Sequence, residues 1–124
     1  GTHASTFGGN FLATAAGVAV LKRMIQKDFL THVREVGNHF FEGLKKLKEK
    51  HSIIKEVRGL GLILAAELTI PGGDIVNKAM ERGFLINCTS DKVLRFVPPL
   101  VIQKDQVDRL LVVLDELMAE AEKK

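Results

Sequence analysis

Apolar and polar positions recur along this chain with different periods, and each period predicts a different element. Asn10 is a good N-cap for a helix beginning at Phe11. From Phe11 to Leu21 nearly every position is apolar, including Leu12, Ala15, Ala16, Val18 and Val20. A helix apolar on all sides is expected to be buried on all sides. Polarity returns at Lys22-Arg23 and Gln26-Lys27-Asp28. Over 29–50, Phe29, Val33, Val36, Phe40, Leu44 and Leu47 follow spacings of three and four, the stripe of an amphipathic helix. His51-Ser52 ends that run.

The period then drops to two. Leu60, Leu62, Leu64, Ala66, Leu68 and Ile70 alternate with Gly61, Ile63, Ala65, Glu67 and Thr69, which predicts a strand with one apolar face. Ile53 to Arg58 reads as a shorter strand before it, with Gly59 at the join. Pro71-Gly72-Gly73 breaks the sheet, Asp74 is placed to cap a short helix to Arg82, and Gly83 suits a left-handed cap. Phe84–Cys88 and Val93–Val97 read as two further strands, joined by the polar turn over 89–92. Pro98-Pro99 stops the pairing. The last helix, Lys104 to about Ala121, carries the stripe Val107, Leu110, Leu111, Leu114, Leu117, Met118 and Ala121, with Gln103 rather than Ser or Thr before it. The order α-α-β-β-α-β-β-α predicts an α+β fold, a mostly antiparallel sheet with helices packed on one face.

Composition fits that picture. The 124 residues are 46% hydrophobic and 27% charged, as in an ordinary globular domain. A chain of this length buries roughly two thirds of its unfolded surface, so it has a core without needing disulfides. Cys88 is the single cysteine, which excludes an internal disulfide and a cysteine-cluster metal site. The net charge of +3 comes from interspersed signs, and there is no Trp or Tyr, so nothing points to nucleic acid. The apolar stretch at Phe11–Leu21 is too short to span a bilayer and lacks the basic lead of a signal peptide. Two features suggest a piece of a longer chain: the opening at Gly1 in a glycine-rich loop, and an all-apolar helix that a domain this small struggles to surround.

Chemistry is concentrated in two places. Ser5-Thr6-Phe7-Gly8-Gly9-Asn10 puts hydroxyls and glycines ahead of a helix N-terminus, a combination that suits a phosphate. The simpler reading is N-capping by Asn10 alone. Arg95 lies within the apolar strand Val93–Val97, and a guanidinium there is costly unless paired. It is also the side chain best shaped to grip a carboxylate. Its structural alternatives are an intrachain ion pair or an exposed edge position, and Arg58 beside the turn is a weaker candidate of the same kind. Gly59-Leu60-Gly61 reads as a tight turn rather than a dinucleotide loop. His32 and His39 read as solvated helix residues with no third metal ligand, and Cys88 as a small core residue.

At these residues the chain resembles a known family. Gly1-x-His3-x-Ser5-Thr6-Phe7-Gly8-Gly9-Asn10 is similar to the segment that follows the cofactor-bearing lysine in class III, ornithine-type aminotransferases. Val57-Arg58-Gly59-Leu60-Gly61-Leu62, Gly83–Thr89 and Val93–Leu100 are similar to successive parts of that family's small C-terminal domain. The resemblance runs through essentially the whole chain, and Ile86-Asn87-Cys88-Thr89 is most like the acetylornithine branch. It implies a fold-type I, pyridoxal 5′-phosphate (PLP)-dependent homodimer with shared active sites in a bacterial cytoplasm. The implied reaction moves an amino group from N-acetylornithine to 2-oxoglutarate, in arginine biosynthesis. Residues 1–10 would form the phosphate loop on the large-domain side, 11–50 linking helices, and 51–124 the small domain. Thr6, and with it Ser5, would hold the PLP phosphate of the partner subunit, while Arg95 would bind a substrate carboxylate. No metal, membrane or nucleic acid is implied. The family's cofactor-bearing lysine would precede Gly1, so the chain alone is expected to be inactive, with no catalytic residue of its own. The family usually has Pro where Phe11 stands, which loosens the helix entry. Competing readings are a self-contained α+β binding domain, with Arg95 in a structural ion pair and the apolar helix covered by its own chain, and an aminotransferase acting on ornithine, 4-aminobutyrate or another ω-amine.

Overall fold

A computed structural model describes His3 and residues 5–123. It contains helices α1 (Phe11–Met24), α2 (Lys27–Lys50), α3 (Gly73–Glu81) and α4 (Lys104–Ala121), and strands β1 (Ile54–Leu60), β2 (Ile63–Leu68), β3 (Asn87–Thr89) and β4 (Val93–Phe96). The chain divides into two compact units, one running through His32 and the other starting at Val33.

In the first unit, Asn10 caps α1 as its sequence suggests: its Oδ1 accepts the Ala13 amide at 2.9 Å. Lys22 and Arg23 in the last turn complement the helix dipole. Arg23 closes the corner to the next helix, lying 4.9 Å above the Phe29 ring and 3.3 Å from the Asp28 carboxylate. The expectation of all-round burial is not met. No residue of α1 is buried, and Phe11 is 93% exposed. Apolar patterning specifies what a helix must meet; it does not supply the covering surface.

In the second unit the four strands form one antiparallel sheet in the order β1-β2-β4-β3. Period-two alternation sends Leu62, Leu64, Ala66 and Leu68 to the helix side, where they join Leu94 and Phe96 of β4. Val36, Phe40, Leu44 and Leu47 of α2 complete the core, with Ile75 and Ala79 of α3 and Val107, Leu114, Leu117 and Met118 of α4. Phe40 and Phe96 meet edge to face, 5.1 Å between centroids. Among the described residues of this unit no helix packs on the opposite face, where Arg58, Asn87 and Arg95 are exposed.

Several element boundaries differ from the sequence-based expectation. The join between the first two strands is Gly61-Leu62, not Gly59, and the second strand is Ile63–Leu68 rather than Leu60–Ile70. Gly61, at φ +57, takes the first loop position, where a two-residue hairpin turn needs positive φ. Gly59 sits within β1 because a Cβ there would lie 2.2 Å from the Ile63 carbonyl oxygen. Gly37 is the matching device on α2: a Cβ there would come within 2.4 Å of the Gly61 oxygen, so helix and hairpin meet backbone to backbone. The third strand is Asn87–Thr89 rather than Phe84–Cys88, because a helix stop consumes the preceding residues. Gly83 at φ +84 donates to Met80 O and Phe84 to Ala79 O, a Schellman closure of α3. Gly72, not Asp74, is the N-cap of α3, and Asp74 lies in its first turn. At α4 the side chain of Gln106 compensates for the absent Ser or Thr cap, its Oε1 accepting the Gln103 amide at 2.9 Å.

Candidate functional site

The loop before α1 is a tight turn. Gly8 N donates to Ser5 O and Asn10 N to Phe7 O, and Gly9 takes φ +75. The Asn10 side chain is engaged in this turn and in the cap, donating to Phe7 O and accepting from Ala13 N. The Ser5 and Thr6 side chains are exposed and make no hydrogen bond among the described residues. The result is a pair of free hydroxyls just ahead of a helix N-terminus.

Arg95 lies in the second unit, on β4, a central strand rather than an edge. Its neighbours Leu94 and Phe96 are buried, so alternation turns Arg95 to the helix-free face. Registration across the sheet gives a row Arg58–Ala65–Arg95–Asn87 on that face. The adjacent row is Glu56–Glu67–Val93–Thr89. Arg95 has no ion pair or hydrogen-bond partner among the described residues. Both structural alternatives, an ion pair and an edge position, are therefore absent.

Arg58 behaves oppositely. Its guanidinium lies 2.7 Å from Glu67 and 3.2 Å from Glu56. Lys55 reaches the other Glu67 oxygen at 2.6 Å. The hydrogen bond from Lys55, then that from Arg58, holds the Glu67 carboxyl below its ordinary pKa. Glu67 and Lys55 were not candidates from the sequence, although simple alternation already places Glu67 on the face of Arg58 and Arg95.

A second unanticipated cluster joins the end of α2 to the end of α4. His51, 2% exposed, has Nε2 2.6 Å from Asp115 Oδ1 and Nδ1 3.0 Å from Glu122 Oε2. Lys50 reaches the other Asp115 oxygen at 2.5 Å, and Glu122 also accepts from Ser52 Oγ and the Ile53 amide. Both ring nitrogens face carboxylates, so the ring is an imidazolium donating twice. Burial lowers its pKa, but the hydrogen bonds to Glu122 and Asp115 more than offset this, and the value stands above 6.5. His39 lies 2.6 Å from Asp108 on the surface. Cys88 is half-buried, its thiol 3.2 Å from Asp91 O. No group of three or more His, Cys, Asp or Glu able to hold a metal occurs among the described residues, and no helix there is long and apolar enough to cross a membrane. A cavity of about 820 Å³ is lined by Phe84, Ile86, Pro98 and Val113 among others, and Arg95 does not line it.

Comparison with known proteins places the chain in a family. The chain is 51% identical over 126 residues to an acetylornithine aminotransferase of Methanocaldococcus jannaschii, covering 99% of this chain and 31% of that protein. It is 48% identical to an acetylornithine aminotransferase of Caldanaerobacter subterraneus subsp. tengcongensis, covering 97% of this chain and 31% of that one. Its fold matches the crystal structure of the acetylornithine aminotransferase of Elizabethkingia anophelis with a TM-score of 0.84 at 31% identity, over 97% of this chain and 31% of that structure. The chain thus spans under a third of the length of these relatives. The class-III aminotransferase family model matches residues 1–118, and the chain belongs to that family.

Proposed function

We propose that this chain is the C-terminal part of a PLP-dependent aminotransferase that moves an amino group from N-acetylornithine to 2-oxoglutarate. The observation that carries the reading is Arg95: a guanidinium on a central strand, exposed, with its donors uncommitted among the described residues. Such a group is poised for a carboxylate, which every substrate of this reaction carries. Its planar fork offers two parallel N–H donors, so it orients the substrate as well as attracting it.

The loop residues fit an anionic cofactor phosphate. Thr6 and Ser5 present free hydroxyl donors, and the start of α1 adds a favourable dipole and amides without helical partners. They would hold the phosphate of a cofactor shared with a partner subunit in a cytoplasmic homodimer. PLP, when bound, supplies the electron sink for amino transfer. Arg95 contributes binding and orientation, and the loop contributes retention of the phosphate. The lysine that would carry the cofactor is expected in the preceding large domain, so this chain alone would lack activity. The relatives' names support N-acetylornithine over ornithine or 4-aminobutyrate. The exposure of α1 and the free Arg95 count against the self-contained binding domain.

The test uses the full-length enzyme. Arg95→Ala should raise KM for 2-oxoglutarate and glutamate by roughly 30-fold, the loss of charge-assisted hydrogen bonds of about 2 kcal/mol. An unchanged KM would remove Arg95 from substrate binding. Thr6→Ala should release PLP more readily on dialysis, and equal retention would return the loop to plain capping. Rates with N-acetylornithine, ornithine and 4-aminobutyrate as donors decide the substrate.

A further inference from the structure

The helix-free face holds two arginines, with Glu67 lying between them and Glu56 beside Arg58 on β1. Glu67 occupies the row next to that of Arg58 and Arg95, so it is the diagonal neighbour of both, one on each flanking strand. Diagonal neighbours lie about 7–8 Å apart, within reach of long side chains. Glu67 is turned wholly to one side. One of its oxygens takes Arg58 at 2.7 Å, the other takes Lys55 at 2.6 Å, and neither meets Arg95.

This asymmetry has a cause in the sequence of β1. Lys55 and Arg58 both come from that strand, and an irregularity in register between Ile54 and Glu56 accompanies the approach of Lys55 to Glu67. With both oxygens engaged, Glu67 has no cheap route to the β4 side. Ala65, directly between Arg58 and Arg95, has too short a side chain to interfere with either.

We propose that Lys55 and Arg58 are positioning residues that hold Glu67 away from Arg95, keeping the Arg95 guanidinium open for the substrate carboxylate. The inference rests on the reading of Arg95 as the carboxylate-binding residue. Without the two β1 cations, Glu67 would swing to Arg95 and compete with substrate from within the chain. Competition of this kind raises the substrate concentration needed and leaves the bound state unchanged, so it acts on KM and not on kcat. The lowered pKa of Glu67 agrees with a carboxylate held ionised by these two cations.

The experiment is a set of steady-state kinetics on the full-length enzyme. Removing both cations, Lys55→Met with Arg58→Met, should raise KM for 2-oxoglutarate about fivefold with kcat little changed, the scale of one solvent-exposed ion pair. Adding Glu67→Gln to that variant should return KM to within about twofold of the unmodified enzyme, because the competitor is gone. A merely structural role for the cluster predicts the reverse, since deleting a third member would deepen the defect. A raised KM that Glu67→Gln fails to rescue overturns the proposal, and so does an unchanged KM in the double variant. If the double variant does not fold, Lys55→Met alone replaces it, because that side chain is 64% exposed. It should give about a twofold rise that Glu67→Gln abolishes, and no rise overturns the proposal. Arg95→Ala separates the two levels: if it leaves KM unchanged, the reading of Arg95 itself fails, whatever the cluster does.

Discussion

Replacing His51 with Gln tests whether the α2–α4 junction is held by a charged imidazole. The magnitude comes from its surroundings. A fully buried ion pair that loses one partner costs about 3–5 kcal/mol, and an exposed pair costs at most about 1 kcal/mol. His51 is 2% exposed, but the Asp115 and Glu122 side chains remain 31% and 26% exposed. Water can therefore re-solvate both carboxylates when the ring is removed, and the expected cost lies between the limits, about 2 kcal/mol at pH 6. The pH dependence has a definite sign. The folded pKa of His51 is raised above 6.5, so its charge-dependent stabilisation is complete below about 6.5 and is lost as pH rises through the folded value. Urea denaturation of the natural chain and of His51→Gln, at pH 6 and again at pH 9, should therefore give a difference that shrinks at the higher pH. A difference that stays constant, or grows with pH, would refute the charged-imidazole assignment and reduce His51 to a packing residue.

The same geometry sets three further outcomes. Glu122 titrates at about 2, held down first by the His51 hydrogen bond, so its stabilisation is present above about 4.5 and lost as pH falls toward 2. Glu122→Gln should accordingly flatten the acid limb of the stability profile measured by circular dichroism. Gly37→Ala should destabilise by about 1–3 kcal/mol in urea, although Ala is the better helix former, because the new methyl would strike the Gly61 carbonyl. Phe40→Ala, which empties a fully buried ring site against Phe96, should cost about 3–5 kcal/mol by the same measurement.

Much of this fold was legible because it is encoded locally. The stripe of α4 gave Lys104–Ala121 without error, and Asn10 and Gly83 marked a helix start and a helix stop that both formed. The failures are non-local. Gly59 and Gly61 look alike in sequence, and only the packing of Gly37 and the position of Ile63 show which one turns the chain. His51 reads as a polar helix end because its two carboxylates lie 64 and 71 residues away. Arg95 was legible as a candidate from its apolar strand. That it is free depends on Glu67 being committed to Arg58 and Lys55, a relation across three strands that only the register reveals.

That freedom also separates function from stability at Arg95. A core position is explained by the contacts it makes, but Arg95 makes no ion pair and no hydrogen bond among the described residues. Surface substitutions away from such contacts usually change stability by less than about 0.5 kcal/mol, and a β-branched residue suits a strand better than Arg does. Arg95→Val should therefore leave the urea midpoint of the chain unchanged or slightly raised, while in the full-length enzyme it raises KM for 2-oxoglutarate as Arg95→Ala does. A clear loss of stability in Arg95→Val would mean that the guanidinium serves the fold after all, and the argument from its free donors would collapse. If the guanidinium serves substrate instead, Arg95→Val should yield a stable protein with impaired substrate binding.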